Sequence, residues 1–195
     1  MKHLLRNLAL LALLCVPWVT QAQSFTWDFE SGNEGWQFAN VTSGNSWVIG
    51  SAQAHGGTNS LYVSNDGGTT ATYNGTNTVI YAWRDFTLTT AGTYDYSYYW
   101  QCTGESTWDF MRVYIVPEAS FTEITEQSSS FSTLRASGSG PTISGATLID
   151  GGSRLNTSRN LGTGWHSQEG SIALSAGTYR FLIVWLNDSG VYPPS

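Results

Sequence analysis

AGTYDYSYYW, residues 91–100, and AGTYRFLIVW, residues 176–185, decide the fold between them. In the first, Tyr94, Tyr96, Tyr98, Trp100 and then Cys102 fall on one face, with Asp95, Ser97 and Gln101 on the other. That period of two predicts a half-buried strand. The second keeps an inward set of Tyr179, Phe181, Ile183 and Trp185 but places Leu182, Val184 and Leu186 between them, so it is expected to be a central strand covered on both sides. Ala-Gly supplies the turn before each strand, and Gly92 and Gly177 are both expected in a conformation that a Cβ would penalise. The pair therefore reads as two strands entered through the same kind of turn, with no catalytic atom in common. The polar outer face of the first, with Tyr99 on it, is the better place for a binding surface.

The same period marks further strands over Phe25 to Phe29, Ser46 to Ile49, Ser60 to Ser64, Ala82 to Leu88, Phe110 to Val116 and Ser171 to Leu174. EASFTEITEQ, from Glu118, is the one doubtful helical segment after the leader. Short strands separated by Gly, Asn and Ser predict an all-β, antiparallel β-sandwich of the jelly-roll kind. Residues 128–164 differ in texture, rich in Ser, Gly and Thr with scattered apolar positions, and read as long connections with one or two edge strands.

Residues 1–22 read as a signal peptide: Lys2 and Arg6 precede an apolar run from Leu8 to Val16, and small residues follow near Ala22. The run is too short for a membrane span, and no later segment supplies one. The remainder, 23–195, is expected to be one exported domain, secreted or at the cell surface. The whole chain carries a formal charge of −6, and its single lysine lies in the leader. So acidic a surface repels phosphate backbones and anionic lipid, which argues against nucleic acid as a partner. Beyond the leader Cys102 is the one cysteine, so no intramolecular disulfide is available and a buried, apolar role is expected.

FTWDFESGNEGW (25–36), GGTNSLYVSNDGGTTATY (56–73), GTYDYSYYWQCTGESTWDFMRVYIVP (92–117) and GTYRFLIVWLNDSGVYPPS (177–195) together resemble the choice-of-anchor J and cleaved-adhesin group. These are jelly-roll domains of secreted Bacteroidetes-type surface proteins, similar in architecture to MAM domains and concanavalin-like carbohydrate-binding modules. The likeness covers most of 23–195, with 128–164 contributing little. It implies a closing strand after the NDSGVYPPS block, which is expected to be missing here through C-terminal truncation, and further domains downstream. It also implies a structural Ca²⁺ near the first strand. Asp28 and Glu30 flank Phe29 there, so both carboxylates are expected on one strand face, with Asn59 of the GGTNS loop as a further oxygen and Asp188 as a weaker candidate.

Catalytic constellations are scarce in the sequence. His55 and His166 have no paired neighbour for zinc, and the nucleophile elbow G-x-S-x-G and the acid signature Glu-x-Asp-x-x-Glu do not occur. His166, alone in GWHSQEG, reads as a solvated loop side chain. Binding has more to draw on, for the chain holds 9 Trp and 10 Tyr, and aromatic faces stack on sugar rings. Trp27, Trp36, Trp100 and Trp185 are expected in the core. Trp83, Tyr99 and Trp108 are the candidate stacking residues, with core or dimer contact as the competing reading for each. The sequence thus points to a non-catalytic extracellular adhesion or ligand-binding module taking a glycan or an extracellular protein. A carbohydrate-binding module serving a downstream hydrolase, and a purely structural spacer, are the alternatives.

Overall fold

The computed structural model describes residues 23–40, 44–105, 107–121, 140–156, 159, 161 and 164–190. The proposed leader and residues 191–195 lie outside them, as does the part of EASFTEITEQ beyond Phe121; Glu118–Ser120 form a short 3-10 turn.

β9 (Gly177–Asn187) is the centre of the molecule, as its doubly apolar pattern requires. It pairs antiparallel with β4 (Thr78–Leu88) on one side and β6 (Phe110–Pro117) on the other, in a five-stranded sheet ordered β1-β4-β9-β6-β7. The edges are short: β1 is Gln37–Ala39 and β7 is Thr147–Leu148.

On one face of this sheet lie Val79, Tyr81 and Trp83 of β4, Leu182, Val184 and Leu186 of β9, and Phe110, Tyr114 and Val116 of β6, packed beneath Phe121, Ile143 and Ala146. Leu182, Val184 and Leu186 are fully buried, and each contributes about 1.5–3 kcal/mol relative to exposure. The opposite face carries Ile80, Ala82, Trp185, Val113 and Ile115 and is covered by a second layer of two antiparallel strand pairs. One is β2 (Ser46–Gly50) with β3 (Ser60–Ser64), which sets Trp47, Ile49, Leu61 and Val63 on the sheet. The other is β5 (Gly92–Trp100) with β8 (His166–Leu174), which adds Tyr96, Tyr98, Trp100, Ile172 and Leu174. The result is an antiparallel β-sandwich. Among the described residues no helix is long and apolar enough to cross a membrane.

Two sequence expectations need correction. Phe25 to Phe29 is not a strand: Phe29 has φ 66°, so the chain turns there, although its ring still joins the core beside Trp36. Gly177 has φ 154°, but Gly92 is not at positive φ, and a Cβ there would meet nothing closer than Tyr94 at 3.7 Å. The first turn therefore does not depend on glycine.

The Ser/Gly/Thr-rich connection is tied down where it is described. Thr147 and Leu148 pair with Ile115 and Tyr114, Leu155 exchanges backbone hydrogen bonds with Met111, and Ile149 and Leu155 are buried. Arg112 of β6 and Asp150 form a buried ion pair, Nε to Oδ2 at 2.5 Å.

Candidate ligand-binding face

The outer face of the β5–β8 pair follows from register. Tyr99 pairs with Ser167, Ser97 with Glu169 and Asp95 with Ser171, and all six side chains point away from the core. Tyr99 is 59% exposed, against 4% for its neighbour Trp100. A tyrosine in that position gives up burial, and what it gains is contact on the outside.

That contact comes from the β2–β3 loop. The His55 ring stacks on Tyr99 with centroids 3.8 Å apart and planes 13° from parallel, and Trp165 meets His55 edge-on at 5.4 Å. Beside them Gln53 Nε2 donates to Gln101 Oε1 at 2.6 Å. Exposed aromatic faces next to side-chain amides can take the C–H face of a flat polar ligand and its hydroxyls together.

The loop is held in place by Glu30. Its Oε1 accepts from the backbone N–H groups of Thr58 and Asn59 at 2.9 and 2.8 Å, and Gly57 lies so close that a Cβ would stand 2.5 Å from the same oxygen. Ser60 Oγ donates to Gln53 O from the other end of the loop. Asp28 Oδ1 in turn accepts from Glu30 N at 3.0 Å. The Glu30 oxygen expected as a calcium ligand is thus engaged by two backbone N–H groups, and Asn59 turns its N–H toward it. The two carboxylates also do not share a strand face, because the turn at Phe29 separates them.

Asp188 lies at the other end of the β2–β3 hairpin, where Glu105, Asp109 and Asp188 bring carboxylate oxygens within 4.8 Å of one another. Asp109 accepts from Tyr73 Oη at 2.6 Å and from Asp188 N at 3.1 Å. Burial, with the Asp109 and Asp188 charges added, holds the Glu105 carboxyl above its ordinary range. Burial raises that of Asp109 as well, opposed by the bonds from Tyr73 and Asp188 N. Carboxylate oxygens grouped in this way are the donor type a hard cation takes.

The remaining expected residues scatter. Trp83 is 7% exposed and packs against Phe121 beneath the Arg180 guanidinium, so it offers no free face to a ligand. Trp108 is half-buried, next in sequence to Asp109. His166 is not a solvated loop residue: it opens β8 on the inward side and its ring lies 5.0 Å from that of Trp100. Burial of the Cys102 thiol pushes it up to about 12, so it stays protonated and unreactive at neutral pH. An open concavity, about 570 Å³, lies over β2–β3 between Phe38, Val48 and Gly68, and the Tyr62 hydroxyl beside it donates to Gly68 O.

The alternation put Tyr99 on the polar face, where the structure exposes it, but did not show the rings around it. Trp165 continues the outward alternation of Ser167 and Glu169, a signal that was there to be read. His55 gave none, because its place depends on how a loop folds over a distant strand pair.

Fold and face together define a class: an all-β sandwich bearing an exposed aromatic platform on its second layer. Comparison with family models, with curated proteins and with solved structures returned no match to this chain.

Proposed function

We propose that the chain is a non-catalytic, extracellular ligand-binding module that presents the Tyr99–His55–Trp165 platform to a carbohydrate. The observation that carries this reading is Tyr99 itself, an exposed large ring propped by a stacked imidazole on a loop that several hydrogen bonds hold in place. Preorganised aromatic surface of this kind lowers the entropic penalty of binding. Tyr99→Ala is expected to weaken polysaccharide binding at least about tenfold, a loss of about 1.4 kcal/mol. Its melting temperature should stay close to that of the parent, because the side chain is mostly in solvent. Affinity electrophoresis beside a thermal melt measures both, and unchanged retention of the variant on every polysaccharide that retains the parent would refute the platform.

Calcium belongs to the same proposal, moved to Glu105, Asp109 and Asp188. Since folding raises the Glu105 and Asp109 carboxyls, their contribution to stability is greatest in acid and is lost as pH climbs through the raised values. With chelator at neutral pH, Glu105→Gln should therefore melt higher than the parent; with millimolar Ca²⁺ the order should reverse. Identical parent melting curves with Ca²⁺ and with chelator would exclude the ion.

A further inference from the structure

The platform is one end of a longer feature. From Tyr99 the outer face of the β5–β8 pair continues through Ser97 and Glu169 to Asp95 and Ser171, four residues along β5, or about 14 Å. Asp95, Ser97, Glu169 and Ser171 stand around an open groove of about 490 Å³ whose floor is the paired backbone of Tyr96 and Gly170. The Tyr96 ring lies on the inner side of that floor, with its hydroxyl 2.5 Å from where a Gly170 Cβ would be, so the groove is backed by core.

Beyond the aromatic end every side chain on this lane is short and polar, or a carboxylate. An apolar peptide or a lipid chain finds nothing to bury there. Hydroxyls and carboxylates can both accept from, and the hydroxyls also donate to, a ligand that carries many hydroxyl groups. Ser171 Oγ already donates to Asp95 Oδ1 at 2.8 Å, which fixes that carboxylate facing the lane. Asp95 and Glu169 repel an anionic ligand, and a chain of formal charge −6 adds to that repulsion. Because the groove is open, it suits the middle of a polymer better than its end.

Resting on the carbohydrate reading above, we propose that the ligand is a neutral, extended glycan lying along the outer face of β5–β8, with one sugar on Tyr99 and His55 and its neighbours over Ser97, Glu169 and Asp95. Asp95 and Glu169 act as hydroxyl acceptors and as a filter against uronate and sulfate.

Calorimetric titration of the whole chain tests this with neutral ladders of two to six units (cello-, xylo- and manno-oligosaccharides), polygalacturonate and hexalysine. Affinity for at least one neutral ladder should rise with length before levelling off, and polygalacturonate should bind at least about tenfold more weakly. Glu169→Gln and Asp95→Asn should each weaken the longest member about tenfold, the worth of a hydrogen bond to a charged group, and Asp95→Asn, the farther from Tyr99, should leave the two-unit member nearly unchanged. Tyr99→Ala should weaken both. Length-independent affinity, or full affinity in Glu169→Gln and Asp95→Asn while Tyr99→Ala loses binding, would overturn the lane and leave the platform standing. Equal affinity for polygalacturonate would do the same, and preference for hexalysine would make the ligand a basic peptide. Failure of every glycan to bind would remove both readings.

Discussion

Asp150→Ala is expected to destabilise the domain by about 3–5 kcal/mol, a large part of the stability a domain of this kind has to lose. Asp150 is fully buried and Arg112 is 5% exposed. Removing the carboxylate leaves a guanidinium in the interior with its strongest partner gone, on a strand that is hydrogen-bonded on both sides. Asp150 also accepts from Gly152 N, and its carbonyl accepts from Arg159 Nη2. The pair thereby pins the 147–156 segment to the β6 edge, and Ile149 and Leu155 would loosen with it. Replacing both members with leucine should recover much of the loss, since an apolar pair carries no desolvation penalty. Urea unfolding of the parent, the single and the double variants measures this, and a single-variant loss under about 1 kcal/mol would contradict it.

Asn187→Ala comes next, with an expected loss of about 3 kcal/mol or more. Asn187 is fully buried, and its Oδ1 accepts from Asn45 Nδ2 and Trp185 Nε1 at 2.9 and 2.8 Å. Its Nδ2 donates to the carbonyls of Asn74, Thr76 and Asp188. One side chain therefore fastens the end of the central strand to the loops before β2 and β4, and each buried group left unpaired costs about 1–3 kcal/mol. Asn187→Asp keeps the acceptor but turns a carboxylate oxygen toward those carbonyls. Its penalty should be smaller at pH 4 than at pH 7, because the protonated acid can donate once. Unfolding curves at both pH values check the sign, and a penalty independent of pH would show that the amide does not sit as described.

The strands that carry most of the core were legible because their pattern is strong. Leu182, Val184 and Leu186 between Phe181, Ile183 and Trp185 admit one position in a sandwich, the middle of the larger sheet. β8 was legible only from Ser171 onward, because its inward residues before that are His166, Gln168 and Gly170, which carry no apolar period. Trp83 looked available because nothing in its own strand shows that Phe121 and Arg180 cover it. Glu30 illustrates the harder problem. A carboxylate beside a turn reads equally as a metal ligand or as an acceptor for backbone N–H groups, and only the approach of Thr58 and Asn59 distinguishes them. The Tyr99–His55 stack joins residues 44 positions apart by way of a loop, and pattern reasoning has no access to a contact of that kind.

The central claim is that ligands bind at the outer face of β5–β8, and mapping backbone amide shifts by NMR during titration with a neutral hexasaccharide tests it most directly. The account predicts shifts at His55, Tyr99, Trp165, Ser167 and Glu169 that saturate together and vanish in Tyr99→Ala. Saturating shifts confined to Phe38, Val48, Tyr62 and Gly68, over the β2–β3 concavity, would contradict it.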